Sequence, residues 1–124
     1  MPWSSIATML ATVPYFVSPV MKVSATAELR DLTVTGGNNS MDGGGIDSPG
    51  DLTLTRVLVT GNTTTENGGG IASNGTLTLN ATTVTNNTAT GRGGGVRSTG
   101  TLIVNAGSSI TGNTPDQCVG GGCP

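Results

Sequence analysis

For acid–base, thiol or metal chemistry this 124-residue chain offers seven carboxylates, five basic side chains and two cysteines, and no histidine. The commonest general base and commonest metal ligand are therefore missing. Asp42, Asp47 and Asp51 lie on either side of one Gly- and Pro-rich turn. Carboxylates there, with turn carbonyls, could hold calcium weakly; solvated loop acids are the plainer reading of the same three residues. Cys118 and Cys123 enclose a glycine-rich spacer that suits a small disulfide loop. Two thiols without histidine are too few for a structural zinc, and a redox-active pair more often reads Cys-x-x-Cys. A disulfide would agree with an oxidising, extracellular setting. No residue is assigned a catalytic role.

The elements that position these groups follow from an internal repeat. The triplets Gly43-Gly44-Gly45-Ile46, Gly68-Gly69-Gly70-Ile71 and Gly93-Gly94-Gly95-Val96 recur every 25 residues. Val34, Val59 and Val84 keep that spacing, and Ile110 follows after 26, so the last repeat holds one extra residue near 105–109. Three short runs make up a repeat, as in Asp51–Thr55, Val57–Thr60 and Gly70–Ser73, with Pro-Gly, Asn-Gly or Thr-Gly turns between runs. Apolar and small polar residues alternate in the first two runs, the period of a strand buried on one face. β-branched Thr, Val and Ile suit strands.

Three strands in so short a repeat fit one coil of a parallel solenoid. Stacked coils place residue i above i+25 at about 4.8 Å. Leu54, Leu79 and Val104 then form one inward column, Val34, Val59, Val84 and Ile110 a second, and Ile46, Ile71 and Val96 a third. Columns of small aliphatics join into a continuous core, which makes large rings dispensable. Asn62, Asn87 and Asn113 fall in register three residues after the inward Val or Ile, and are read as a structural asparagine ladder. Asp31 falls on Arg56 as a cross-coil pair, and Asp47 on Ala72 and Arg97. The expected fold is all-β: a right-handed parallel β-helix of about 25 residues per coil, three short strands per coil and roughly 3.5 coils.

The pattern GGGI…GTLTL…TTVTNNTA…GGGV resembles the right-handed parallel β-helix repeats of bacterial surface and secreted proteins. It is similar to the GGA[IV] and FxxN repeats of the chlamydial polymorphic outer-membrane proteins, with Val or Ile where those carry Phe, over about residues 23–114. More distantly, the fold resembles that of pectate lyases. The resemblance implies an extracellular or cell-surface, adhesive or passenger-like role. A lyase-like activity would need clustered acids and a nearby base; the repeat register collects no two carboxylates in one column.

Residues 23–114 are thus the repeats. Residues 1–22, with Trp3, Tyr15 and Phe16, read as an N-terminal cap, a truncated coil or a weak signal-like segment, and 115–124 as a tail holding the disulfide. The first segment is too short and too interrupted by proline for a confident membrane span. Few basic residues and a net charge of −2 argue against nucleic acid. Thr35, Thr60, Thr85 and Thr111 line up on an outer face, and Thr53 and Thr78 start another row that Ile103 ends. These outward threonines are the candidate binding residues. The expected function is a non-catalytic surface module binding glycans or surfaces without a cofactor, calcium aside, with end-to-end self-association open to it. A polysaccharide-lyase-like β-helix is the alternative. Ice binding is a further one, since Thr-x-Thr faces on solenoids resemble ice-binding surfaces.

Overall fold

The computed structural model describes residues 5–6, 9–12 and 19–124, and all regular structure there is β. Strands β1 (Ser5–Ile6), β2 (Met9–Thr12) and β3 (Met21–Lys22) come first. Three four-stranded coils follow: β4 (Ala27–Arg30), β5 (Leu32–Thr35), β6 (Asn38–Asn39) and β7 (Ile46–Ser48); β8 (Leu52–Thr55), β9 (Leu58–Thr60), β10 (Thr63–Thr64) and β11 (Ile71–Ser73); β12 (Thr76–Asn80), β13 (Thr83–Thr85), β14 (Thr88–Ala89) and β15 (Val96–Ser98). The last coil holds β16 (Thr101–Val104), β17 (Ser109–Thr111) and β18 (Cys118–Gly120).

Corresponding strands stack into three five-stranded sheets, β1-β4-β8-β12-β16, β2-β5-β9-β13-β17 and β3-β7-β11-β15-β18, with a short ribbon β6-β10-β14. We call them the first, second and third sheets. Every pairing is parallel, and through the middle coils the register is the repeat itself, Leu54 on Leu79, Val59 on Val84 and Ile46 on Ile71. The chain is a β-solenoid of about four turns, as the 25-residue spacing predicts. The ribbon is a fourth, two-residue strand per coil that the sequence pattern does not announce. Strands β10 and β14 directly follow the stacked Asn62 and Asn87, which hold the turn at coil spacing and let the next two residues pair, and β6 follows Gly37, whose N–H donates to Asn62 Oδ1. Trp3, Tyr15 and Phe16, on which the reading of residues 1–22 rests, lie outside the described residues.

The three expected aliphatic columns are inward. Leu54, Leu79, Val34, Val59, Val84, Ile46, Ile71 and Val96 are fully buried, and Val104 packs against them at the end of the stack. Leu52, Leu77 and Leu102 add a fourth column. Each such side chain contributes roughly 1.5–3 kcal/mol by leaving water. Several inward positions are polar instead. Ser48, Ser73 and Ser98 stack inside the third sheet. Thr82 follows Leu32 and Val57 inside the corner between the first and second sheets, where its hydroxyl proton is shared between the carbonyls of Leu54 at 3.1 Å and Asn80 at 3.0 Å.

The corner between the first and second sheets needs a left-handed residue. Asp31, Arg56 and Ala81 occupy it at φ 54°, 53° and 46°. In the last coil the extra residue widens this corner into a turn closed by Ser108 N–H to the Asn105 carbonyl, 3.1 Å, with Gly107 at φ 86°. Ile110 thereby returns over Val84. An L-residue in this conformation costs about 1–2 kcal/mol, partly offset by the lower chain entropy of a non-glycine. Ala81 is exposed and has no polar side chain to use the bend. Ala81→Gly is expected to stabilise the fold by about 0.5–1 kcal/mol, read as a higher urea midpoint at unchanged slope.

Candidate functional site

The outer face of the second sheet carries two rows. Thr33, Leu58, Thr83 and Ser109 form one, and Thr35, Thr60, Thr85 and Thr111 the other. Alternation makes this face: Val34, Val59, Val84 and Ile110 point inward, so their neighbours point out. The threonines are half-buried to exposed, and none of their hydroxyls bonds to another described residue. Each keeps a donor and acceptor for something outside the chain.

The first sheet's outer face is less regular. Glu28, Thr53, Thr78 and Ile103 form one row and Arg30, Thr55 and Asn80 the next. Thr53 and Thr78 are adjacent as expected, but their row runs from a charge to an exposed isoleucine. The Thr55 hydroxyl is spent on Glu28 at 3.0 Å, and Asn105 Nδ2 donates to Asn80 Oδ1 at 2.6 Å.

Charges gather where these faces meet. Arg56 holds Asp31 with two parallel bonds, Nε to Oδ1 at 2.6 Å and Nη2 to Oδ2 at 3.0 Å, and Arg30 Nη2 donates to Glu28 at 2.9 Å. The Arg56 bond holds the Asp31 carboxyl below its usual range, and the Arg30 bond does the same for Glu28. Both carboxyls bind fewer protons folded than unfolded. Their stabilising effect is complete above the ordinary carboxylate range and fades as pH falls through the lowered values. These pairs are solvent-exposed, which keeps the effect small.

Asp42, Asp47 and Asp51 are not assembled as ligands; among the described residues no three acidic or thiol groups form a metal-holding cluster. Each faces a different task. Asp42 Oδ1 accepts from Asn67 N–H and Nδ2, and its Oδ2 pairs with Arg97 Nη1 at 2.8 Å. Asp51 Oδ1 accepts from Thr76 N–H at 2.9 Å. Asp47 sits on the third sheet opposite Ala72. The register alone does not reveal that Arg97 passes over Ala72 to reach Asp42, two coils away.

Asn62, Asn87 and Asn113 are buried and linked, Asn62 Nδ2 to Asn87 Oδ1 at 2.9 Å and Asn87 Nδ2 to Asn113 Oδ1 at 3.0 Å. Gly37 N–H donates to Asn62 Oδ1 at one end, and Gln117 Oε1 accepts from Asn113 at the other. Gln117 thus stands where a further asparagine would stack. Beside it, Asp116 Oδ1 accepts the N–H groups of Gly93 and Gly94. Cys118 and Cys123 are joined in a disulfide, with Cys118 above Val96 and both cysteines packed on the end of the core. The tail therefore closes the last coil, a role invisible in the repeat because Gln117 and Asp116 have no counterparts in the other coils.

No helix among the described residues is long and apolar enough to cross a membrane. No protein-family model, curated protein or solved structure matches the chain.

Proposed function

We propose that this chain is a non-catalytic recognition module, exposed outside the cell or on its surface, that holds an extended polysaccharide or other surface component against a rigid outer face. The observation that carries the reading is the second sheet's in-register rows of hydroxyls with no partner within the described chain. Backbone ladders on both sides fix these hydroxyls, so little entropy is lost when a partner engages them. Many individually weak bonds add up when they bind one extended ligand. The use of Asp31, Asp42, Asp51 and Asp116 in ion pairs and amide caps favours binding over turnover. The disulfide and the resemblance to polymorphic outer-membrane repeats favour an oxidising, external location.

Incubation with soluble and insoluble acidic and neutral polysaccharides plus calcium tests this. Retention without unsaturated product is expected, and Thr60→Lys with Thr85→Lys is expected to weaken it at least about tenfold by removing two hydrogen bonds of about 1 kcal/mol each. Product that disappears on replacing Asp47 or Asp51 would make the chain a lyase instead.

A further inference from the structure

We infer that the outer face of the second sheet binds the ordered water layer of an ice surface. The inference rests on reading this face as the binding surface and names its ligand.

The face is a grid rather than a groove. Neighbouring coils set its hydroxyls about 4.8 Å apart along a row, and alternate residues of a strand separate the rows by about 6.6 Å. A single glycan chain repeats in one direction and would be read by one row or a cleft. A two-dimensional grid matches a two-dimensional lattice, and the coil spacing is close to the repeat of hexagonal ice along its a axis.

The side chains suit water held in a lattice. Threonine has a stiff χ1, so its hydroxyl and methyl are positioned before contact. Each hydroxyl can donate to one lattice water and accept from another. The two rows carry no charge, and the nearest ions, Asp31 and Arg56, neutralise each other at the sheet's border. A free charge there would order water around itself and compete with the lattice. The first sheet lacks these properties, because Glu28, Arg30 and Ile103 interrupt its rows and Thr55 already bonds to Glu28.

Leu58 is the one apolar residue among the eight positions of the grid, and it is exposed. Leu58→Thr fills the gap with a residue already present on both sides of it in the row.

The test measures thermal hysteresis and partition into slowly growing ice for the full chain and three variants, with circular dichroism to confirm that all keep the β spectrum. The natural chain is expected to partition into ice. Leu58→Thr is expected to raise partition several-fold. Thr85→Lys is expected to lower it about tenfold, and Thr101→Lys, at an exposed position of β16 on the first sheet, to leave it unchanged. No partition by either the natural chain or Leu58→Thr overturns the inference. Equal losses from Thr101→Lys and Thr85→Lys overturn the assignment to the second sheet. Polysaccharide retention that depends on Thr85, without ice partition, overturns the ice ligand and leaves the recognition reading standing. Absence of both removes the two together.

Discussion

Asn87→Ala is expected to destabilise the fold by roughly 3–5 kcal/mol, a large share of the 5–15 kcal/mol that holds a domain together. Asn87 is 1% exposed. Its Oδ1 is the acceptor for both the N–H and the Nδ2 of Asn62, at 3.1 and 2.9 Å. Its own Nδ2 shares two hydrogens among the carbonyls of Val59 and Thr85 and the Oδ1 of Asn113, all at 3.0 Å. Alanine leaves the Asn62 backbone N–H without its acceptor inside a dry turn and removes the donor shared by Asn113 Oδ1 and the Val59 and Thr85 carbonyls; the orphaned group costs about 1–3 kcal/mol and each lost bond about 1 kcal/mol more. Asn87→Asp keeps the shape but removes the donors and buries a charge, so it is expected to be at least as damaging at neutral pH. The adjacent asparagine separates side-chain bonding from backbone shape. Asn86 is exposed and sits at φ 56°. Asn86→Gly is expected to be nearly neutral and Asn86→Ala to cost about 1 kcal/mol. Urea unfolding of the four variants checks the set. A loss under about 1 kcal/mol for Asn87→Ala would mean that coil stacking does not depend on the ladder.

The solenoid was legible because its physics is periodic. A residue such as Val59 meets Val34 and Val84 at fixed sequence distance, so a single spacing reveals strand direction, register and inward columns together. The ladder was legible for the same reason, and the Asp31–Arg56 pair because both lie at the same corner of successive coils. Features that use the repeat only once were not. Arg97 reaches Asp42 across two coils, Gln117 ends the ladder, and Asp116 covers two amides of the coil below, all by side-chain reach rather than register. The inward serines were hidden differently. Ser48, Ser73 and Ser98 repeat faithfully, but serine carries no signal of burial; Ser48 Oγ is satisfied by the Gly50 carbonyl at 3.1 Å, a bond only coordinates reveal. The threonine rows were visible in sequence. What separates the second sheet from the first is whether the hydroxyls are already used, which depends on neighbours such as Glu28 beside Thr55.

Gly69→Ala is expected to be as damaging as loss of the ladder, about 3–5 kcal/mol, although it adds one methyl group and removes no bond. The three glycines of each triplet serve different needs. Gly68, at φ 71°, turns the chain. Gly69 has an ordinary φ and is buried where successive coils approach most closely. Its N–H donates to the Gly93 carbonyl at 3.0 Å, and its carbonyl accepts from Gly45 at 3.1 Å. A Cβ on Gly69 would lie 2.6 Å from both the carbonyl carbon and oxygen of Thr88, and closer still to the Gly94 carbonyl oxygen. Backbone on every side cannot rotate away as a side chain would. The coils must separate, and separation breaks ladder bonds above and below the site. Gly44 and Gly94 stand in the same column under the same constraint, so the cost is repeated along the stack. Gly121 provides the comparison: nothing lies within 4 Å of a Cβ there. Gly121→Ala is expected to shift stability by less than about 0.5 kcal/mol. Thermal unfolding of the two variants under identical conditions decides the matter. Equal melting temperatures would mean that the coils can yield by several tenths of an ångström without penalty, and the grid of the second sheet, which the same spacing sets, would be soft as well.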